Sequence, residues 1–470
     1  MTAMALTAAW VAAAMHGSLV GGDPARTFVG VSIDTRTLKA GELFVAIKGE
    51  RFDGVQFVDR AIAAGAAGVV VPVNAERPVD VASASSGTVA QIGVADTTVA
   101  LQSLARAIRR ESGTRVVAIT GSAGKTTTKE ITSEFLATRY RVIRNRGNFN
   151  NHIGLPLSLM ELAQRPEIAV VELGMNHAGE ISTLVGIAEP EVRVWTNVGE
   201  AHLGFFPSID AIADAKAEIF DGATPATVLV ANADDDRIVA RLPRFRGRTV
   251  TFGLARAADV RAVDIADRGV DGMRSRVVTP RGTTTIETPL VGRSNLANIL
   301  AAAAVALELD VPLDAIAGRA RTLRPAAHRG EVVALPSGIT IIDDSYNANP
   351  TATKRALDVL ASAAAGRRIA VLGEMLELGG ESTRLHEEVG RAAANVMIDA
   401  LFAVGGSPAA ALAEAAVHAG LRRDAVHYFA ASDEAADAVV AALRRGDVVL
   451  VKGSRGVKTD RIVERLKERG

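Results

Sequence analysis

The chain has no cysteine, which excludes disulfides, thiolate metal centres and thiol nucleophiles. Aromatic side chains are scarce, with only two tryptophans and three tyrosines in 470 residues. Charge of either sign in excess is missing too: 53 Lys and Arg stand against 53 Asp and Glu. Such a chain has no bulk pull toward nucleic acid or anionic lipid, so any anion it binds must be held by a local site. No run is long and apolar enough to suggest a bilayer span. The apolar opening Met4–Met15 lacks a basic leader, because the first Lys or Arg is Arg26, and it reads as an amphipathic or buried helix rather than a signal peptide. The expectation is a cytoplasmic protein without nucleic-acid partners. An Asn-Lys-x-Asp guanine motif is also absent, which argues against a GTPase switch.

What is present is organised around Val116 to Glu130. Apolar and β-branched residues run into Gly121-Ser122-Ala123-Gly124, and Lys125-Thr126-Thr127-Thr128 opens a segment of helical spacing. Strand, phosphate loop and helix is the reading: glycines let backbone N–H groups point inward, Lys125 faces the outer phosphates, and the Thr126 hydroxyl can hold Mg²⁺. The loop is short. Ile119 stands where a first glycine is usual, so the motif is Gly121-x-x-Gly124-Lys125-Thr126, which also fits an ordinary glycine turn at a helix start.

Length allows about three domains. Three α/β units are expected, at residues 1–100, 101–323 and 324–470, with the stretch 80–88 a loop inside the first. The central unit should be a mostly parallel sheet with an antiparallel addition over Val260–Leu290, followed by a long Ala-rich helix from Leu296 to Leu309 and an arginine-rich hinge over Arg319–Arg329. The last unit alternates strand and helix again, as a Rossmann-like domain. In such sheets ligands sit beyond the carboxyl ends of the strands. Glu172 ends one strand and suits either Mg²⁺ or a helix cap. His202 follows another and suits either chemistry or packing. Arg36 beside Thr35 could take a diphosphate or sit in a solvated turn, and nothing in the spacing distinguishes Lys216 from a surface lysine. Polar clusters follow three strands of the last unit, at Asp343–Pro350, Gly373–Met375 and Lys452–Arg455.

These residues carry a family resemblance as well. The loop Gly121–Thr127, the run Gly147-Asn148-Phe149-Asn150-Asn151-His152-Ile153-Gly154 and Glu172-Leu173-Gly174-Met175-Asn176-His177 resemble the Mur ligases of peptidoglycan synthesis. So do Ala201-His202-Leu203, Ala215-Lys216-Ala217-Glu218-Ile219-Phe220, Gly292–Asn298, Asp344–Pro350 and Lys452–Arg455, so that the resemblance covers essentially the whole chain. Tyr346-Asn347-Ala348-Asn349-Pro350 and the Glu-Leu-Gly-x-Asn-His form are similar to the branch joining D-alanyl-D-alanine to a UDP-N-acetylmuramoyl-tripeptide, rather than to branches adding single amino acids. Other Mur ligases and folylpolyglutamate synthetase are the neighbouring alternatives.

The resemblance implies an ATP-dependent amide ligase that works through an acyl phosphate, with two Mg²⁺ ions. It places Thr126 and Glu172 on the first ion, and His202 and Lys216 on the second. Because an ammonium cannot ligate a metal, it also implies that Lys216 is carbamylated. Lys125, His202 and Lys216 are then the catalytic set. Asn295, Arg329 and Asp344 would grip the adenosine. Asn148, Asn150, Asn151, Tyr346, Asn347, Asn349 and Lys452 would meet the peptide substrates, and Thr35 with Arg36 the uridine diphosphate. Glu374 stands where Asp is also common, which leaves the role of that acid open. A monomer is expected, closing its third unit onto the second about residues 320–330.

Overall fold

The computed structural model describes residues 2–49, 52–74, 89–145 and 147–469. The expected loop at 80–88 lies outside these residues. Three larger sheets organise the chain. The first has the strand order Ser18–Gly21, Ala90–Val94, Gly68–Pro72, Leu43–Val45 and Val31–Ser32, all parallel except the first. The second has nine strands, in the order Gly282–Thr288, Met273–Thr279, Val260–Asp267, Arg248–Gly253, Val228–Asn232, Val192–Trp195, Arg115–Thr120, Ile168–Glu172 and Val142–Arg144. Its first three strands form the antiparallel addition and the rest are parallel. The third runs Glu331–Ala334, Thr340–Asp344, Asp447–Lys452, Arg367–Gly373, Ala400–Val404 and Val426–Phe429, with only the Glu331–Ala334 edge antiparallel.

The chain order in the nine-stranded sheet creates the site. After Arg115–Thr120 the chain moves to the Val142–Arg144 edge, returns through Ile168–Glu172, and then crosses to Val192–Trp195 on the other side. The carboxyl end of Arg115–Thr120 is therefore a topological switch point, where neighbouring connections part and leave a crevice. On one face of this sheet the helices Lys125–Leu136 and Gly292–Glu308 pack together, and Ala301 to Ala304 are all buried. A helix apolar on all sides belongs in a core, and its small side chains let backbones approach closely.

The opposite face is shared between the first two of the expected units. One continuous apolar cluster joins Leu43, Val70 and Ile92 of the first sheet to Leu101, Leu104 and Ile108 of the helix Thr97–Ser112, and then to Val116, Val171 and Leu229 of the nine-stranded sheet. That helix fills the seam between the two sheets, and residue 100 falls inside it. The last sheet has apolar clusters of its own on both faces.

Several element ends also depart from the sequence reading. Leu6–Thr7 pairs with Thr27–Phe28 as a short ribbon, so the opening helix is only Ala8–Ala14. Thr7 is extended and its hydroxyl accepts the Trp10 N–H at 3.3 Å, which fixes the helix start. Gly292 to Asn295 form the first turn of the Ala-rich helix rather than a leader to it. Arg319 and Ala320 close the helix Leu313–Ala320, so the irregular hinge starts after them.

In the last sheet, buried His386 braces the loop after Arg367–Gly373. Its Nε2 accepts the Met375 N–H at 2.8 Å and its Nδ1 donates to the Ser382 carbonyl at 2.7 Å. Because one partner only donates and the other only accepts, the ring is held as a single neutral tautomer. Burial pushes the imidazole below its ordinary value of 6.5, with the Ser382 carbonyl and Glu374 opposing. The unfolded chain therefore binds this proton more readily, and the stabilising contribution, complete above pH 6.5, is lost progressively as pH falls below that value through the lowered folded one. Urea midpoints of the full chain should decline from pH 8 to pH 5, and His386→Gln, which keeps an acceptor but cannot charge, should flatten the decline. Parallel pH profiles for the two proteins would contradict this assignment.

Candidate active site

The phosphate loop has no room for side chains at its two glycines. Gly121 has φ +152°, and a Cβ there would lie 1.9 Å from Thr196 Oγ1; Gly124 has φ +79°, and its Cβ would meet Asn298 Oδ1 at 2.5 Å. The loop is pinned by residues following the strand Val192–Trp195. Asn197 Oδ1 accepts the Ala123 N–H at 2.8 Å and its Nδ2 donates to the Ala123 carbonyl at 2.9 Å. Ser122 Oγ donates to the Gly199 carbonyl at 3.1 Å and accepts the Gly199 N–H at 2.9 Å. Lys125 Nζ folds back to the Gly121 carbonyl at 2.9 Å, so its charge lies along the cradle.

Parallel register sets Glu172 opposite Ile119, beside the start of this loop. Thr126 Oγ1 donates to one carboxylate oxygen at 2.7 Å and Asn150 Nδ2 to the other at 2.8 Å, while Asn145 Oδ1 accepts the Glu172 N–H at 3.0 Å. Burial alone pushes the Glu172 carboxyl up, but Lys125 and the hydrogen bonds from Thr126 and Asn150 outweigh it and hold the group below its usual range. Lys125 is crowded by protein, which lowers its ammonium, and Glu172 opposes that shift. Lys216, on the helix Ile209–Ala217, is 2% exposed, and its side chain has no hydrogen-bond partner among the described residues. Burial, and then Lys125, push its amine well below the usual lysine value, with Glu172 opposing.

The facing wall comes from the last sheet. Asp344 and Lys452 are register partners on adjacent parallel strands, and Lys452 Nζ lies 2.6 Å from Asp344 Oδ2 while also donating to the Asn347 carbonyl at 2.9 Å. Asn349 caps the helix Pro350–Ser362 by accepting the Ala352 N–H at 2.8 Å. The Tyr346 N–H donates to the His328 carbonyl at 3.1 Å and the Gly330 N–H to the Asp343 carbonyl at 2.9 Å, which brings Arg329 over the Tyr346 ring, 4.1 Å from its centroid. His202, left-handed at φ +64°, has Nδ1 2.7 Å from Glu377 Oε2, close but without the alignment of a hydrogen bond. The Gly204 N–H donates to the Glu377 carbonyl at 2.8 Å, so the two walls touch here.

Between them lies a cleft of about 620 Å³. Of the residues singled out in the sequence, Ser122 to Thr127, Asn148, Asn150, Asn151, Glu172, His202, Asn295, Arg329, Asp344, Tyr346, Asn347, Asn349 and Lys452 all line it. Gly121 and Lys216 do not. Thr35 and Arg36 lie apart from it, with Arg36 exposed and 2.6 Å from Asp34, whose carboxyl it draws down to about 2. Sequence reasoning missed Asn197, Asn298, Arg355 and Glu377. A polar residue ending the Val192–Trp195 strand could have flagged Asn197, and helical spacing three past Asn295 could have flagged Asn298. Glu377 and Arg355 become visible only once the two walls meet.

Among the described residues no three histidine or carboxylate side chains converge as a ready-made metal cage. The Thr126 hydroxyl and Glu172 carboxylate are hard oxygen donors on one edge of the cleft, a partial set of the kind magnesium completes with phosphate oxygens and water.

Comparison with known proteins agrees with this architecture. Sequence models of the Mur ligase family match residues 27–109 (Mur ligase family, catalytic domain), 119–306 (Mur ligase middle domain) and 328–455 (Mur ligase, glutamate ligase domain). The chain is 37% identical over 461 residues to the UDP-N-acetylmuramoyl-tripeptide--D-alanyl-D-alanine ligase of Bacillus subtilis, and 36% identical over 460 residues to that of Escherichia coli, covering 97% of each chain in both comparisons. A crystal structure of MurF from Acinetobacter baumannii superposes with a TM-score of 0.89 at 32% identity over the full length of both chains. MurF ligase from Thermotoga maritima in complex with ADP gives 0.82 at 29%, covering 93% of this chain and 97% of that one. From near its beginning to near its end, the chain belongs to the Mur ligase family.

Proposed function

We propose that the chain is an ATP-dependent ligase joining D-alanyl-D-alanine to a UDP-N-acetylmuramoyl-tripeptide, in the cytoplasmic phase of peptidoglycan synthesis. The observation carrying this reading is the cleft itself, where a phosphate loop with Thr126 bonded to the buried Glu172 carboxylate faces a second wall of amide and cationic side chains. Residues 101–323 form the main ATP-binding unit, residues 324–470 share the adenosine with it and face it across the cleft, and the unit up to residue 100, with Thr35 and Arg36, holds the uridine diphosphate.

A carboxylate is a poor electrophile and must be activated. One oxygen of the tripeptide carboxylate attacks the γ-phosphorus of ATP, the bridging P–O bond to ADP breaks, and an acyl phosphate forms. The dipeptide amine then attacks the acyl carbon, forming the C–N bond; the C–O bond to phosphate breaks, and a proton leaves the nitrogen. Two anions must approach first, so Lys125 and the loop N–H groups draw charge from the phosphates. Magnesium, when bound, supplies further charge neutralisation between phosphate and carboxylate. Thr126 and Glu172 would hold one ion, and His202 with Lys216 the other. Asn295, Arg329 and Asp344 hold the adenosine, while Asn148, Asn150 and Asn151 orient the tripeptide. Lys216 fits its role through its own chemistry: its lowered basicity favours the neutral amine, which adds to CO₂ and loses a proton to give an oxygen-bearing carbamate.

Phosphate release from ATP should require the UDP-linked tripeptide together with D-alanyl-D-alanine, and GTP, single amino acids or glutamate should serve poorly. Preference for a single amino acid would move the chain to another branch of the family. Lys216→Ala should lower kcat by about two to three orders of magnitude, as loss of a group that stabilises transition-state charge does, and short carboxylic acids should restore part of the activity. A fully active variant would remove the carbamate. Solution scattering should show contraction when an ATP analogue and the tripeptide bind together, by rotation about residues 320–330; identical curves with and without ligands would count against closure.

A further inference from the structure

The cleft contains a cation that the chemistry above leaves unused. Lys125 serves the phosphate loop, Lys452 is neutralised by Asp344, and Arg355 faces Asp235 and Glu200. Arg455, just past the strand Asp447–Lys452, is exposed to the cleft and has no carboxylate partner among the described residues. It is held by one of the three tyrosines in the chain. Its Nη1 donates to the Tyr346 hydroxyl at 3.3 Å, and its guanidinium lies 5.4 Å from the centre of the ring that Arg329 covers at 4.1 Å. Two guanidinium groups on one aromatic ring, neither in an ion pair among the described residues, form an anion-seeking arrangement.

Resting on the ligase reading above, we propose that Arg455, positioned by Tyr346, binds the terminal carboxylate of the incoming dipeptide and is a determinant of acceptor length. The acceptor must attack as an uncharged amine, so its carboxylate is the one charge it brings to the cleft. A planar guanidinium takes a carboxylate in two parallel hydrogen bonds, which fixes orientation as well as distance. Arg329 is assigned otherwise: its field reaches both Lys125 and Glu172, on the ATP side. Arg455 shares its wall with Asn347 and Asn349. A single D-alanine is shorter than the dipeptide by one residue, roughly 3.5 Å of extended chain, so with its amine at the acyl carbon its carboxylate falls short of the arginine.

The test is steady-state kinetics on the full-length enzyme with D-alanyl-D-alanine, its C-terminal amide and D-alanine. Arg455→Ala should raise KM for the dipeptide by about 10- to 100-fold, the range expected for a lost charge-assisted hydrogen bond, while KM for ATP and for the UDP-tripeptide stays within about threefold. Wild-type enzyme should lose a similar factor on the amide, and in Arg455→Ala the free acid and amide should become equally poor acceptors. Arg455→Lys should fall between, and Tyr346→Phe, which keeps the ring but not the hydroxyl, should raise only the dipeptide KM. An active wild-type enzyme whose dipeptide KM is unmoved in Arg455→Ala, or whose ATP KM rises instead, would overturn the inference alone. A wild-type enzyme inactive on the dipeptide would overturn the ligase reading and this inference with it.

Discussion

A single buried carboxylate ties the two sides of the donor site together. Glu172 is 4% exposed and would be costly to ionise there, yet its charge is retained because Lys125, the Thr126 hydroxyl and the Asn150 amide all address it. These groups come from three pieces of local structure. Lys125 and Thr126 open the helix that the glycine turn launches, Asn150 lies in the loop after the Val142–Arg144 strand, and Glu172 is placed by its register against Ile119. Removing any one would leave either a buried anion short of hydrogen bonds or a lysine without its counter-charge. The strand order of the central sheet therefore has a direct chemical result, because it brings these pieces to one edge.

The acceptor wall uses a different device. In the last sheet, parallel register pairs Asp344 with Lys452, which cancels a charge that would otherwise compete for anions, and leaves half-buried Arg329 and exposed Arg455 around Tyr346 as the cations without an ion pair among the described residues. The loop facing His202 is held from behind by His386 and Ser454, whose side chains accept the Met375 and Leu376 N–H groups. Of these two braces, His386 is buried away from the cleft that the loop it holds helps to line, a support of the kind a site requiring sub-ångström placement needs.

Much of this was legible in the sequence where local chemistry dictates structure. The glycine loop, the strands before and after it, the antiparallel addition over Val260–Leu290 and the alternation of the last unit are all written in spacing, and the structure places them as read. Lys216 was not legible from spacing, since its burial depends on how its helix packs beside the phosphate loop; only the family resemblance singled it out. Glu377 and Arg355 were invisible for another reason: their partners, His202, Asp235 and Glu200, lie more than a hundred residues away in the chain. The helix Thr97–Ser112 escaped notice because its buried face is shared between two sheets, so it belongs to neither unit alone.

That shared seam bears on how the enzyme handles a long substrate. The first and second sheets are built on one uninterrupted core, which spans from the unit proposed to hold the uridine diphosphate to the sheet that carries the phosphate loop. The distance between them is then set by the fold, not by the ligand. A nucleotide-linked peptide anchored at its uridine end would present its free carboxylate to ATP only when its stem has the right number of residues, so the core itself would act as a gauge of stem length.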